Sequence, residues 1–227
     1  MTDNPTRFNA EALTWDTRPN VLLATSLAHT AYLSHLPPQP TLSTLSVLEI
    51  GCGTGLLSLR LAPSVRSLTA VDAADGMIAM LSHKLTAPES PAKETKNVRA
   101  VCALLTDPDD ERIATDPVTG ERIPRRRFDV VVSHLVLHHI PDLEGLFKTN
   151  FGPEARRFHP EAKMAEVERH GVERGEMRGL LEGAGFVDVR VETAFEMEKK
   201  VETVLGNGVL GETMVFPFLI CLGRRPE

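Results

Sequence analysis

The chemistry legible in this 227-residue sequence begins at positions 49–55, EIGCGTG, and is completed by the acid that ends TAVD at position 72. Glycines at alternate positions, Gly51, Gly53 and Gly55, let a backbone turn tightly and let a ligand lie against it with no Cβ in the way. A dinucleotide site would read G-x-G-x-x-G, with a pyrophosphate on the following helix. Counted from Gly51, its third glycine falls at position 56, which is Leu56. An acid, Glu49, stands instead two residues before the first glycine. A carboxylate there repels a pyrophosphate and suits a cation such as an ammonium group. Asp72, 21 residues after Gly51, occupies the place from which an acid accepts both hydroxyls of a ribose. Singly, the glycines make a tight turn and Asp72 a helix N-cap. In this order and spacing they make a ligand site.

A nucleoside that carries a cation and no phosphate describes S-adenosylmethionine, and Leu56 and Glu49 together disfavour NAD. The elements around these residues alternate. Residues 45–50 and 67–72 read as short buried strands, 56–62 as a helix stopped by Pro63, and 76–85 as a helix with Met77, Met80, Leu81 and Leu85 on one stripe. Residues 97–104 and 128–137 read as the third and fourth strands. An N-terminal helix over 20–32 turns Leu23, Leu27, Ala28 and Ala31 to one face. Residues 106–127 are polar, rich in Pro, Gly and charge, and predict a surface excursion; Arg125–Arg127 flank the strand that follows. Helices are expected after Pro141 and over 161–169 and 176–184. Strands follow over 186–195 and 213–223, the latter placed at an edge or bulge by Pro217. Such alternation predicts an α/β, Rossmann-like, doubly wound and mainly parallel sheet. One domain over 1–227 is expected, with a helical cap over 1–40, a cofactor half over 45–140 and a C-terminal half over 141–227.

Three stretches, VLEIGCGTGLLSLRLA, TAVDAADGMIAML and FDVVVSHLVLHHIPD, resemble the class I S-adenosylmethionine-dependent methyltransferases, most closely their small-molecule, ubiquinone-biosynthesis-type branch. The N-terminal FNAEALTWDTRPN resembles the segment that caps the cofactor there. The resemblance implies that Gly51, Cys52, Gly53 and Gly55 pass under the cofactor. It implies that Glu49 reaches the methionine amino group, through water, and that Asp72 holds the ribose. Ala73 and Met77 would lie beside the adenine, and Ser133 at the end of the fourth strand near the cofactor. Trp15 either caps the cofactor or anchors the N-terminal helix. The family's acid after the third strand, which bonds the adenine amine, has no counterpart: Ala103 and Leu104 stand there, and Asp107 lies further along.

At SHLVLHH the methyl group and its acceptor would meet. His134 is the candidate general base, able to deprotonate a phenol or enol, although a histidine there also serves structure or cofactor packing. Without a Cys or acid at ligand spacing, His134, His138 and His139 predict no metal site. Phe158 or His159 would line the acceptor side. Between residues 148 and 160 the apolar run of the family's fifth strand is missing, leaving Phe151 and Phe158 as the large apolar residues. The expected sheet therefore has six strands rather than seven. Either the chain is an incomplete form, or it re-pairs into a shorter sheet.

The net charge of −6 gives no electrostatic reason for a nucleic-acid or anionic-membrane partner. Cys52, Cys102 and Cys221 sit in apolar runs and read as reduced, structural cysteines. No signal core or membrane-length apolar run is visible, so a cytoplasmic location is expected. The expected activity is O- or C-methylation of a small molecule. The alternative is a catalytically silent relative or truncated variant.

Overall fold

The computed structural model describes residues 4–107, 109–122, 128–137, 173–200, 213–224 and 226. They fall in two compact units, Met1–Val172 and Glu173–Glu227. The expected helices after Pro141 and over 161–169, the residues Phe158, His138, His139 and His159, and the region of the missing strand lie outside the described residues.

In the first unit, helices α1 (Asn4–Trp15) and α2 (Pro19–His35) precede strand β1 (Ser46–Ile50). Helix α3 (Leu56–Leu61), strand β2 (Ser67–Asp72), helix α4 (Asp75–Thr86), strand β3 (Val98–Cys102) and strand β4 (Val130–Ser133) follow. The strands form one parallel sheet in the order β3-β2-β1-β4. This is the mainly parallel α/β arrangement that the alternation predicts. The five residues of β1 are all buried, the polar Ser46 and Glu49 included, as befits a strand covered on both faces.

The sheet has two differently built faces. On one, Val47, Leu68, Ala70 and Val132 pack with Leu57 and Leu61 of α3, Ile78 and Leu81 of α4, and Tyr32 and Leu33 of α2. On the other, Leu48, Ile50, Val71 and Val101 pack with Ile113 and Phe128. Because β3 and β4 lie at opposite edges, the chain between them must cross that second face. The polar composition of residues 106–127 predicts a surface excursion, yet Ile113 is only 4% exposed and Ala114 and Asp116 are buried. Asp116 accepts the Val118 and Thr119 amides and pairs with Arg66 at 3.1 Å. Burial works against its charge, but these three donors outweigh it and hold the carboxyl below the ordinary range.

Further differences from the sequence reading have local causes. Strand β4 stops at Ser133 rather than running on to 137, because Leu135 takes a positive φ of 59° that turns the chain out of the sheet. The buried residues of α2 are Ala24, Thr25 and Ala28, while Leu23 is 51% exposed. Helix α3 gives way to a 3₁₀ turn, Ala62–Ser64, at Pro63, as expected. All three cysteines are free, but Cys102 is exposed rather than buried.

In the second unit, helix α5 (Arg174–Gly183) packs beside an antiparallel pair, β5 (Val187–Lys200) and β6 (Thr213–Arg224). Pro217 pairs with Glu196, next to a register shift between Thr193 and Phe195. The described residues thus hold six strands, four in one sheet and two in another. No helix among them is long and apolar enough to cross a membrane.

Asp116→Ala is expected to lower the unfolding free energy by about 2 kcal/mol, since it removes three bonds to a buried carboxylate. Urea unfolding at pH 7 measures this. The carboxyl's contribution is complete above its unfolded value of 3.8 and is lost as pH falls through the lower folded value, so the difference from wild type shrinks in acid.

Candidate cofactor site

The turn after β1 is set by the Val71 carbonyl, which accepts both the Gly51 amide at 2.8 Å and the Cys52 amide at 3.0 Å. Gly51, Gly53 and Gly55 all have positive φ, 71°, 54° and 79°. They differ in what a side chain would meet. A Cβ on Gly51 would lie 2.2 Å from Val136 Cγ2, and one on Gly55 2.3 Å from Leu81 Cδ1. A Cβ on Gly53 would meet nothing closer than Trp15 Nε1 at 3.8 Å and Met77 Sδ at 4.0 Å. The first and third glycines are therefore required by packing within the protein. Above the second there is space, bounded by an indole and a thioether.

Both acids face this turn. The alternation of β1 puts Glu49 on the α3 face, where it is 1% exposed and accepts Ser58 Oγ at 2.5 Å. Burial and the nearby charge of Asp72 oppose its ionisation, and its carboxyl is raised to about 8. Among the described residues it forms no ion pair. Asp72 accepts the Gly53 amide on one oxygen and the Ala74 amide on the other, each at 2.8 Å. The Ala73 amide is a third backbone donor to this carboxylate. Burial raises this carboxyl too, against the opposing effect of the backbone donors. Cys52 is buried, and burial pushes its thiol well up.

Helix α1 forms a wall. Ala12, Ala74 and Met77 are its buried contacts, with Phe8, Trp15 and Met80 around them. Trp15 is held edge-on by Phe8 at 5.8 Å and from its face by the Arg18 guanidinium at 4.9 Å. The structure thus brings together Trp15, Glu49, Gly53, Asp72 and Met77. Ala73 follows directly, half-buried. Beyond β3, Ala103 is buried with its amide on Asp72 O at 2.8 Å, Leu104 is 70% exposed, and Asp107 accepts the Asp109 amide in a local turn.

Ser133 donates its hydroxyl to Ile50 O at 3.0 Å, and its own carbonyl accepts Tyr32 Oη at 2.7 Å. His134 Nε2 is buried without a hydrogen-bond partner, and burial lowers the imidazole to about 4. Tyr32 was invisible as a site neighbour in the sequence, since only the fold brings α2 to the end of β4.

The four-stranded order, the helices packed on the sheet and the acid-bearing glycine turn at the carboxyl end of β1 place the protein in the mainly parallel, Rossmann-like α/β class. Within that class, the Methyltransferase domain family matches residues 21–151, more than half of the chain, and the protein belongs to that family. An uncharacterised methyltransferase of Mycobacterium tuberculosis is 34% identical over 115 residues, 51% of this chain and 48% of that protein. One from Schizosaccharomyces pombe is 29% identical over 102 residues, 45% of this chain and 32% of that protein. The chain thus spans about half or less of the length of these curated relatives. Among solved structures, the magnesium protoporphyrin IX methyltransferase of Synechocystis with bound S-adenosylmethionine has a similar fold. Its TM-score is 0.50 at 16% identity, covering 82% of this chain and 83% of that one.

Gly51→Ala should cost about 2–4 kcal/mol, from left-handed strain plus overpacking against the β-branched Val136. Gly53→Ala should cost only the strain, about 1–2 kcal/mol. Denaturant unfolding of the two variants checks the order; equal costs would contradict the open space above Gly53.

Proposed function

We propose that the protein is an S-adenosylmethionine-dependent methyltransferase acting on a small-molecule acceptor at oxygen or carbon. The observation that carries this reading is Glu49: an almost fully buried acid beside an open glycine cradle, kept protonated for want of a cation. The bound cofactor supplies an electrophilic methyl group on a sulfonium and, at its other end, an ammonium. Glu49 would answer the ammonium, and the Asp72 carboxylate would accept from the ribose hydroxyls. Trp15 and Met77 border the space above Gly53, where a ring system would be sandwiched by an indole and a polarisable thioether. Gly51, Cys52 and Gly55 shape the turn from behind, while Ala73 and Ser133 close the cradle from the ends of β2 and β4. The net charge of −6 favours a small acceptor over a nucleic acid.

His134 is the proposed proton acceptor. Its imidazole is neutral at physiological pH and carries an unpaired Nε2. Lowered basicity does not disqualify it. An acceptor oxygen would become far more acidic on bonding to a methyl carbon, so a modest base at His134 would suffice to take its proton, the electron pair of the breaking C–S bond going to sulfur.

Calorimetric titration with S-adenosylhomocysteine tests the cofactor site. Below pH 8 Glu49 must lose a proton to meet the ammonium, so affinity should rise with pH by up to about tenfold per unit between pH 6 and 8. Glu49→Gln should abolish that slope. A wild type that binds independently of pH would sink the assignment of Glu49, and one that does not bind would sink the cofactor reading.

On an identified acceptor, His134→Gln should reduce kcat by about 10²-fold or more with little change in cofactor affinity. Unchanged kcat would leave positioning alone as the source of rate.

A further inference from the structure

Three polar groups beside the glycine turn form a closed ring that the cofactor contacts do not use. Asp16 directly follows Trp15 at the end of α1. One of its carboxylate oxygens accepts Thr54 Oγ1 at 2.5 Å, and the other pairs with Lys84 Nζ at 2.5 Å. Lys84 Nζ also donates to the Thr54 carbonyl at 2.7 Å. The ring thus joins α1, the glycine turn between Gly53 and Gly55, and α4. Thr54 is 1% exposed, and the Asp16 and Lys84 side chains are 28% and 19% exposed, so salt screens this pair less than a surface pair.

At its other end α1 is pinned separately. Asn9 donates to Asp75 at 2.5 Å and accepts the Gly76 amide at 2.9 Å. With Asn9 as a fixed point, the Asp16 ring decides whether the last turn of α1, and the indole it carries, stands over Gly53. Thr54 meets the ring through both its hydroxyl and its carbonyl, so the same carboxylate and ammonium set the orientation of the turn and the position of the wall above it.

We infer that Asp16, Thr54 and Lys84 form a latch that closes α1 over the glycine cradle, and that they are positioning residues for the cofactor. The latch adds to the hold of Phe8 and Arg18 on Trp15 and fixes the last turn of α1 over the cradle. Breaking it frees the wall and relaxes the turn without touching any group that meets the ligand. The positioning role rests on the reading of the cradle as an S-adenosylmethionine site; the latch itself rests on the geometry of the ring.

Trp15 is the sole tryptophan, so its emission reports the docking of α1 with or without ligand. The experiment measures ligand-free emission, thermal unfolding and S-adenosylhomocysteine affinity for the full chain and for Asp16→Asn, Thr54→Val and Thr54→Ser. Asp16→Asn and Thr54→Val should shift the emission to the red and weaken binding by about tenfold or more, with a cooperative melt retained. Thr54→Ser, which restores the hydroxyl, should recover most of the affinity lost in Thr54→Val. Wild-type emission and affinity in Asp16→Asn would overturn the proposal. Should Asp16→Asn fail to fold, unaltered emission and affinity in the near-isosteric Thr54→Val would overturn it equally. A wild type that binds no S-adenosylhomocysteine, with Asp16→Asn still shifting the emission, would refute the cofactor reading and the positioning role while upholding the latch.

Discussion

Val71 lends one carbonyl to two successive amides, Gly51 and Cys52, and the chain's departure from β1 is fixed by that shared acceptor. A backbone held this way enters the left-handed region, where an L side chain is strained, and it does so at Gly51, Gly53 and Gly55. The consequences spread outwards. The void left at Gly51 is filled by Val136, which keys the segment after β4 into the turn, and the void at Gly55 is filled by Leu81 of α4. Ser133 and Tyr32 add hydrogen bonds that tie the end of β4 to β1 and to α2. Of the three glycines of the turn, Gly53 is the one whose missing side chain the protein leaves unfilled, flanked by the hydrogen bond its amide donates to Asp72 and by the ring around Thr54.

Electrostatics then separate the two acids of the cradle. Glu49 has one hydroxyl donor and full burial, and remains protonated to about pH 8. Asp72 has three backbone donors, Gly53, Ala73 and Ala74, and is less buried. A raised acid stabilises the fold while the unfolded carboxyl would also be protonated, and that advantage fades as pH rises from 4.5 towards 8. At neutral pH the ligand-free cradle therefore carries a conflict between solvation and fold that a cation relieves. Local instability of this kind is typical of a site shaped for a partner rather than for its own stability.

The glycine turn and its acids were legible in the sequence because they sit within one βαβ unit, where strand, turn and helix follow in register and spacing alone fixes their order. The parallel sheet was legible for the same reason. What escaped came from contacts between distant segments. The connection across the second face looks polar throughout, and nothing in its composition reveals that Ile113 and Asp116 are buried by the need to cross from β3 to β4. SHLVL reads as strand, whereas the chain turns out of the sheet at Leu135, with its positive φ, immediately before Val136 fills the space at Gly51. Leu23 was assigned inward by periodicity, whereas the smaller Ala24 and Ala28 are the residues that fit the packed face of α2. Nothing in the sequence links Asp16 to Lys84, which lies 68 positions further along the chain.

This contrast bears on how the proposed chemistry is divided. Methyl transfer needs the acceptor, carbon and sulfur in line and little else, so its rate comes mainly from how firmly both partners are held. The side that would hold the cofactor is over-determined: Gly51 and Gly55 locked by packing, Glu49 held by the Ser58 hydroxyl and Asp72 by backbone amides, and a tryptophan held by Phe8, Arg18 and the latch at Asp16. For proton removal the residue proposed from among those described is His134, next to Leu135 with its positive φ. A neutral imidazole at that place leaves the field around an approaching sulfonium undisturbed, whereas an imidazolium would repel it. The depressed basicity of His134 is then no defect in a base. It keeps a second positive charge away from the methyl group until the transfer itself makes the proton available.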